Sequence, residues 1–190
     1  MKTPNKIVII GASTGGPKQI ENIIKSLHKL YNITIIVAQH MAVDFIPSFI
    51  KRLQEHSINP VALASNNGVI EAGNIYLCLG VTSIKKHGYE LTFSVEPSKD
   101  NRYNPDINSI FKSLAPYAKE IKILGVILTG IGDDGVEGCK ELSLMGALTI
   151  TQDCASSIVD GMPCRARKEV PDIEVADIAG IRDKIIEFCN

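Results

Sequence analysis

The 190-residue chain contains no tryptophan and no apolar run that approaches the ~20 residues needed to span a membrane. An excess of one charge is also missing, because 20 Lys and Arg residues face 21 Asp and Glu residues. This balance gives no reason to expect binding to nucleic acid by charge alone. The stretch before Gly11 is too short for a secretory signal peptide. We therefore expect a cytoplasmic protein with no membrane insertion and no nucleic acid partner.

The five cysteines are odd in number and widely scattered, and they form no Cys-x-x-Cys motif. They are Cys78, Cys139, Cys154, Cys164 and Cys189. The four histidines are equally dispersed, whereas a zinc site is typically indicated by ligands at short spacing. We expect reduced thiols that mostly pack in the interior, and neither a metal nor another cofactor.

Domain boundaries are also missing from the sequence. No linker rich in proline, glycine or serine, no internal repeat and no low-complexity block divides the chain. Its length and its 45% hydrophobic composition suffice for one substantial core and are too small for two ordinary domains. We expect a single domain over residues 1–190.

Short apolar runs alternate with segments of helical period along most of the chain. Continuously apolar strands need cover on both faces, which is typical of a parallel sheet between helices. The pattern predicts an α/β fold, a doubly wound and mostly parallel sheet with helices on both faces. The predicted strands span residues 7–10, 34–38, 61–64, 75–79, 123–129 and 148–152.

The remaining elements follow from turn and capping residues. Strict alternation over residues 90–95, after the His87-Gly88 turn, predicts an antiparallel hairpin. Predicted helices follow Pro17, Asp44 as a cap, Pro105 and Gly135, and a last one lies around Ile181. Their apolar positions are predicted to include Tyr31, Phe45 and Met145.

Reactive side chains directly follow three of the predicted parallel strands. Residues 11–15 fit the pattern G-x-S-x-G around Ser13, His40 follows the second strand, and Asp134 follows the strand that ends at Thr129. Ligands of open parallel sheets bind at the carboxyl ends of the strands. A reactive serine needs an imidazole to take its proton, and the imidazole needs a carboxylate. These residues are candidates for a catalytic triad, although the residues alone do not separate Asp134 from Asp133.

Two familiar interpretations of this glycine-rich turn do not fit. α/β-Hydrolases place several strands before the serine and run in the order Ser, Asp, His, unlike the order here. A dinucleotide-binding loop would need glycine at position 13, which is Ser13. Two alternatives stay open. The loop from Gly11 to Gly16 can hold a phosphate or another anion in a non-catalytic module, or the chain can hydrolyse small-molecule esters.

Four motifs, in this order and spacing, resemble the catalytic domain of the CheB-type chemotaxis receptor methylesterases over nearly the whole chain. They are IIGASTGGP at residues 9–17, QHM at 39–41, LTGIGDDG at 128–135, and GMP at 161–163 preceded by QD at 152–153. The resemblance implies hydrolysis of glutamate γ-methyl esters on the cytoplasmic domains of methyl-accepting chemoreceptors, with release of methanol. In many members it also implies deamidation of receptor glutamines.

The resemblance also implies roles for individual residues. It assigns Ser13 as the nucleophile, His40 as the general base and then acid, and Asp134 as the residue that orients the imidazole. Backbone amides of the strand-end loops are the implied oxyanion donors, which we assign to Thr14, Gly15 and Ile131.

The sequence departs from the family pattern at several places. Family members usually carry an N-terminal receiver domain that covers the active site, whereas this chain begins almost directly at the catalytic strand. We therefore expect no receiver domain in this polypeptide and leave a separate regulatory protein open as a partner. The family motif Pro-Ser-x-Asp is PDIN at residues 105–108, its preceding arginine is Asn104, and Pro-Gly-Gly-x-His is LGVTS at residues 79–83. We expect these positions to shape the substrate cleft.

Overall fold

A computed structural model describes residues 3–97 and 103–190. Within these residues, the strands span Lys6–Ala12 (β1), Ile33–Gln39 (β2), Val61–Leu63 (β3), Ile75–Leu77 (β4), Val81–His87 (β5), Glu90–Glu96 (β6), Lys122–Ile127 (β7), Leu148–Gln152 (β8) and Glu174–Ala176 (β9). The α-helices span Gly16–Lys25 (α1), Ile46–His56 (α2), Ile107–Leu114 (α3), Val136–Leu144 (α4), Met162–Glu169 (α5) and Ile178–Cys189 (α6).

The main sheet has the strand order β3-β4-β2-β1-β7-β8-β9, and its paired strands are parallel. Helices α1, α2 and α6 pack on one face, and α3, α4 and α5 pack on the other. The alternation along β1 supplies both cores, since Ile7 and Ile9 face one set of helices while Val8 and Ile10 face the other. The doubly wound α/β prediction is confirmed.

The predicted hairpin is present, but it is a separate sheet. Strands β5 and β6 pair antiparallel with each other and form a two-stranded sheet outside the main one. Ile84, Leu91 and Phe93 are buried in the same core as α3, while the hairpin tip at Tyr89 is 92% exposed. The expectation of one wet face holds only in part, since Glu90 is exposed but Thr92 is buried together with Leu91 and Phe93.

The start of α2 differs from the prediction. A single 3-10 turn at Val43–Phe45 comes first, and α2 begins at Ile46 without a side-chain cap. Asp44 is thus not the cap of this helix, and Phe45 is 64% exposed. The proline at position 47 explains the later start, because its missing N–H costs nothing in the first turn of a helix.

Two other apolar positions were also predicted wrongly. Tyr31 lies beyond the end of α1 and is 75% exposed, and Met145 is the C-terminal cap of α4 and is 37% exposed. In both cases the helix ends before the apolar spacing does. Gly146, with φ of 93°, takes the left-handed conformation that ends α4.

The chain changes winding direction between β1 and β7, which are neighbours in the sheet. The connection that follows β1 leads to β2 on one side, and the connection that follows β7 leads to β8 on the other. Such a switch point leaves a crevice at the carboxyl ends of the two strands, where ligands of α/β proteins bind. The longest described helix, α6, has 12 residues, and none of the described helices has the length and apolar character to cross a membrane.

Two cysteines lie deep in the core that contains α3. Burial raises the pKa of the Cys78 thiol to about 12 and that of the Cys139 thiol to about 12. Because the thiolate is the reactive form and both thiols are shielded from the reagent, iodoacetamide at about pH 8 should leave both unmodified in the folded protein. It should label Cys154, which is exposed, although a hydrogen bond with Asp160 also raises the pKa of that thiol. Peptide mass spectrometry before and after denaturation tests this expectation. Labelling of Cys139 as fast as Cys154 in the folded protein would contradict it.

Candidate active site

Ser13 is the first residue after β1, in the turn that leads into α1. Its N–H donates to the carbonyl oxygen of Thr129 at 3.0 Å, and its carbonyl oxygen accepts from Gly16 N–H at 2.9 Å and from Gln39 Nε2 at 2.9 Å. Gly15, with φ of 86°, supplies the left-handed residue that turns the chain into the helix. Hydrogen bonds from three segments therefore fix the backbone at Ser13.

The loop after β7 presses against this turn at Gly130. A Cβ atom at Gly130 would lie 2.3 Å from Met162 Sδ and 2.7 Å from Ser13 Cβ. The carbonyl oxygen of Gly130 also accepts hydrogen bonds from the N–H groups of Gly161 and Met162, at the start of α5. The close approach of two strand-end loops thus depends on the absence of a side chain at this glycine.

We expect Gly130→Ala to lower both stability and turnover. The added methyl group must displace Met162 or Ser13, and overpacking of this kind costs about 1–3 kcal/mol. Urea denaturation and an esterase assay measure the two effects. Gly88→Ala is the control for turnover: a Cβ at that hairpin glycine meets nothing within 4 Å, so activity should be kept, although its φ of 61° strains an alanine and lowers stability as well. Wild-type stability and turnover in Gly130→Ala would show that the two loops are not tightly packed.

His40 and Asp134 form a close pair at the same end of the sheet. The His40 N–H donates to the carbonyl oxygen of Ala12 at 2.9 Å, and His40 Nε2 lies 2.7 Å from Asp134 Oδ2. The Asp134 side chain is 2% exposed and that of His40 is 13% exposed. Water therefore competes little for the contact between the imidazole and the carboxylate.

The amino end of α3 holds Asp134 in place. Asp134 Oδ2 accepts from the N–H of Ile107 at 2.9 Å, and Oδ1 accepts from the N–H of Asn108 at 3.0 Å. These N–H groups are unpaired within the first turn of a helix, where the helix dipole is positive. The carboxylate thus accepts hydrogen bonds from both amides and also contacts His40, so the amino end of α3 and the imidazole together fix its position.

The ring orientation leaves Nδ1 of His40 for the nucleophile, because Nε2 faces Asp134. In the familiar serine protease triad the two nitrogens have the opposite roles. In the part of the chain that the structure describes, no hydrogen bond joins the Ser13 hydroxyl to the imidazole. Both side chains line one cavity, and catalytic hydrogen bonds are often long or absent before substrate binds.

That cavity has a volume of about 490 Å³ and opens at the carboxyl ends of the strands. Its described wall consists of Ser13, Thr14, His40, Met41, Ala42, Tyr103, Asn104, Ile131 and Gly132. Thr14 and Ile131, two of the three predicted oxyanion residues, lie on this wall, and within the described chain their amides donate no hydrogen bond. The third, Gly15, turns the backbone into α1 and is not part of the wall.

Sequence reasoning missed Tyr103 and did not anticipate how Asn104 acts. The ring of Tyr103 stacks on the ring of His40, with centroids 4.9 Å apart. Asn104 Oδ1 accepts from Gly80 N–H at 2.6 Å, and its Nδ2 donates to the carbonyl oxygen of Met41 at 2.7 Å. The departure at Asn104 was visible in the sequence, whereas no pattern distinguished Tyr103.

The residues that depart from the family pattern do not all line the cavity. Asn104 belongs to the cavity wall, as expected, but Ile107 and Asn108 hold Asp134 instead of shaping the cleft. Asp106 caps α3 by accepting from Ser109 N–H at 2.8 Å. Among residues 3–97 and 103–190, no group of three or more His, Cys, Asp or Glu residues is arranged to hold a metal ion.

Comparison with known proteins gives one consistent picture. A family model described as CheB methylesterase matches residues 8–185. The chain is 31% identical over 189 residues to a protein-glutamate methylesterase/protein-glutamine glutaminase of Mesorhizobium japonicum, which covers 99% of this chain and 55% of that protein. A protein of the same name from Alkalilimnicola ehrlichii is 34% identical over 184 residues, covering 95% of this chain and 44% of that protein. The chain thus spans about half the length of these relatives.

The fold also matches a solved structure along its whole length. The crystal structure of the Thermotoga maritima CheB methylesterase catalytic domain superposes with a TM-score of 0.87 at 30% sequence identity. The match covers 97% of this chain and 99% of that domain. The region shared with the longer relatives therefore corresponds to a catalytic domain of known structure.

Proposed function

The chain belongs to the CheB methylesterase family, and from this premise we propose that it hydrolyses glutamate γ-methyl esters on the cytoplasmic domains of methyl-accepting chemoreceptors. The proposed activity resides in a single cytoplasmic domain over residues 1–190 and uses neither a metal nor another cofactor. The observation that carries the proposal is the 2.7 Å contact between His40 and Asp134 on the cavity that also contains Ser13. A serine, an imidazole and a carboxylate in one crevice are the parts that acyl transfer to water requires.

In the first half of the proposed reaction, Ser13 Oγ attacks the ester carbonyl carbon while His40 Nδ1 takes the hydroxyl proton. Asp134 stabilises the positive charge that develops on the imidazole. In this proposal the negative charge on the former carbonyl oxygen lies near the amides of Thr14 and Ile131, which donate no hydrogen bond to any of the described residues. Collapse of the tetrahedral species breaks the bond to the methoxy group, which leaves as methanol with the proton from His40.

In the second half of the proposed reaction, a water molecule is the nucleophile, as the Ser13 hydroxyl group was in the first half. His40 accepts a proton from the water as its oxygen attacks the acyl-enzyme, and then returns that proton to Ser13 Oγ as the product leaves. The same sequence with an amide in place of the ester releases ammonia and accounts for deamidation of glutamine. The names of the relatives include both activities.

The cavity suits a neutral group better than a carboxylate. Of the described wall residues, His40 is the one with a basic side chain, and it is paired with Asp134. A methyl ester or an amide carries no charge and loses little hydration in such a site, whereas an anion would meet no Lys or Arg side chain among the described wall residues. This difference favours binding of the substrate over retention of the glutamate product.

The alternative of a phosphate-binding module is not favoured. Such a module uses several free N–H groups at the start of a helix, and here one of them, Gly16 N–H, is already bonded to the carbonyl oxygen of Ser13. Phosphate binding also gives no reason for the buried pair of His40 and Asp134. The relatives are named as hydrolases along the same stretch of chain.

Methanol release from membranes that contain methylated chemoreceptors tests the proposal. We expect the wild-type protein to release methanol and to leave free glutamate at the methylated positions, as mass spectrometry of receptor peptides can show. Unmethylated receptor membranes are the matched control and should give no methanol. If the folded wild-type protein releases no methanol from any methylated receptor but hydrolyses small esters, the proposed substrate is wrong.

A further inference from the structure

The ring of Tyr103 lies flat against the ring of His40. The two centroids are 4.9 Å apart and the ring planes differ by 10°, which is an offset stack of the kind that aromatic pairs favour. The same residue lines the cavity that contains Ser13. Tyr103 therefore covers one face of the imidazole next to the reacting atoms.

Hydrogen bonds join the segment that carries Tyr103 to the segment that carries His40. Met41 N–H donates to the carbonyl oxygen of Asn104 at 2.8 Å, and Asn104 Nδ2 donates back to the carbonyl oxygen of Met41 at 2.7 Å. Asn104 Oδ1 also accepts from Gly80 N–H at 2.6 Å. Since the residues that follow both rings are joined by two hydrogen bonds, the backbone itself keeps the rings side by side.

The hydrogen bond to Asp134 does not by itself prevent rotation of the His40 ring. The carboxylate holds the imidazole at a single nitrogen, Nε2, so the ring can still rotate about the line through that contact. Rotation would turn Nδ1 away from Ser13. A flat neighbour on one face opposes such rotation, because the imidazole must lose its stacking contact to turn.

We propose that Tyr103 is a positioning residue for hydrolysis, acting through the stack on His40; this inference rests on the function proposed above. Its ring keeps the imidazole plane aligned between Ser13 and Asp134. The electron-rich face of the phenol ring also attracts the positive charge that the imidazole acquires when Ser13 gives up its proton. Both effects favour the transition state and leave substrate binding almost unchanged.

The test separates the ring of Tyr103 from its hydroxyl group and from its bulk. Tyr103→Leu keeps an apolar side chain without a π face, and Tyr103→Phe keeps the ring without the hydroxyl. Tyr89→Leu is the matched control, because Tyr89 is 92% exposed at the hairpin tip. Tyr103→Gln, a polar replacement for a half-buried loop position, repeats the comparison if the leucine variant is unstable.

Two quantities are measured for each variant. One is kcat and KM for methyl ester hydrolysis, and the other is the rate at which a fluorophosphonate labels Ser13, which does not depend on the receptor. We expect Tyr103→Leu to lower kcat and the labelling rate about tenfold with KM unchanged. Tyr103→Phe should lose clearly less than Tyr103→Leu on both measures, because it keeps the stacked ring, and Tyr89→Leu should stay within about twofold of the wild type.

The opposite outcomes overturn the inference. Equal losses in Tyr103→Phe and Tyr103→Leu would assign the effect to the hydroxyl group, and a wild-type labelling rate in Tyr103→Leu would show that the stack does not position His40. The labelling rate also separates this inference from the proposed function. If the wild type is labelled at Ser13 but releases no methanol, the receptor substrate is wrong, while the labelling rates still decide the role of Tyr103.

Discussion

Ser13→Ala is expected to remove nearly all methyl ester hydrolysis, a loss on the order of 10⁶-fold in kcat. The reason is that the alanine variant has no oxygen to form the acyl-enzyme, so His40 and Asp134 have no hydroxyl to activate. His40→Ala should cost about as much, and the double variant should cost little more than either single change, because the residues act as a unit. Initial rates of methanol release from methylated receptor membranes measure all three variants.

A second readout guards against an inactive preparation. A fluorophosphonate should label the wild-type protein once, at Ser13, and should leave Ser13→Ala unlabelled. Ser48→Ala is the matched control, since Ser48 is exposed on α2 and should be neutral for both readouts. Methanol release at the wild-type rate from folded Ser13→Ala would refute the assigned nucleophile.

Asp134→Asn is expected to lower kcat about 10⁴-fold. An amide in place of the carboxylate carries no charge, and it can donate a hydrogen bond to His40 Nε2, which stabilises the wrong tautomer of the imidazole. The change should also reduce stability, because Asp134 accepts from the N–H groups of Ile107 and Asn108 and an amide has one acceptor atom instead of two. Loss of a partner for a buried N–H costs about 1–3 kcal/mol.

Steady-state kinetics and urea denaturation of the same sample separate the two effects of Asp134→Asn. Asp133→Asn is the matched control, since the Asp133 side chain is 56% exposed and lies 3.5 Å from Arg165. Exposed pairs of this kind contribute little, so kcat should stay within about twofold of the wild type. A larger loss of kcat in Asp133→Asn than in Asp134→Asn would show that the carboxylate has been assigned to the wrong residue.

The sheet and the three strand ends were predictable from the sequence because both depend on local patterns. The apolar run at residues 7–10 and the helical spacing after it are properties of neighbouring residues, and a parallel sheet follows from strands that are apolar on both faces. Since all carboxyl ends of such a sheet meet at one edge, Ser13, His40 and Asp134 were expected close together. The hydrogen bond between His40 and Asp134 agrees with that expectation.

Contacts between distant segments were not predictable. The residues alone did not separate Asp133 from Asp134, which only the family resemblance did, because the difference arises from the amino end of α3, which reaches Asp134 only in the folded chain. The stack of Tyr103 on His40 has the same origin, since it depends on how the chain passes Met41. Such contacts leave no periodic trace in the sequence.

Two short elements were missed because their patterns are weak. Helix α5 buries only Met162, Pro163 and Ala166, and β9 has three mostly exposed residues at the edge of the sheet. The Asp44 prediction failed for a different reason, because Asp44 lies in a 3-10 turn and α2 begins at Ile46, with proline in its first turn. Local propensity is a weak guide where one residue, such as proline, imposes its own geometry.

The pairing of β1 with β7 determines when, during synthesis of the chain, the active site can become complete. His40 and Asp134 are 94 positions apart, and the carboxylate belongs to the later half of the polypeptide. A nascent chain on the ribosome that has emerged only as far as the hairpin carries the serine and the imidazole without their acid partner. Esterase competence should therefore arise late in synthesis and in one step, when the seventh strand inserts beside the first.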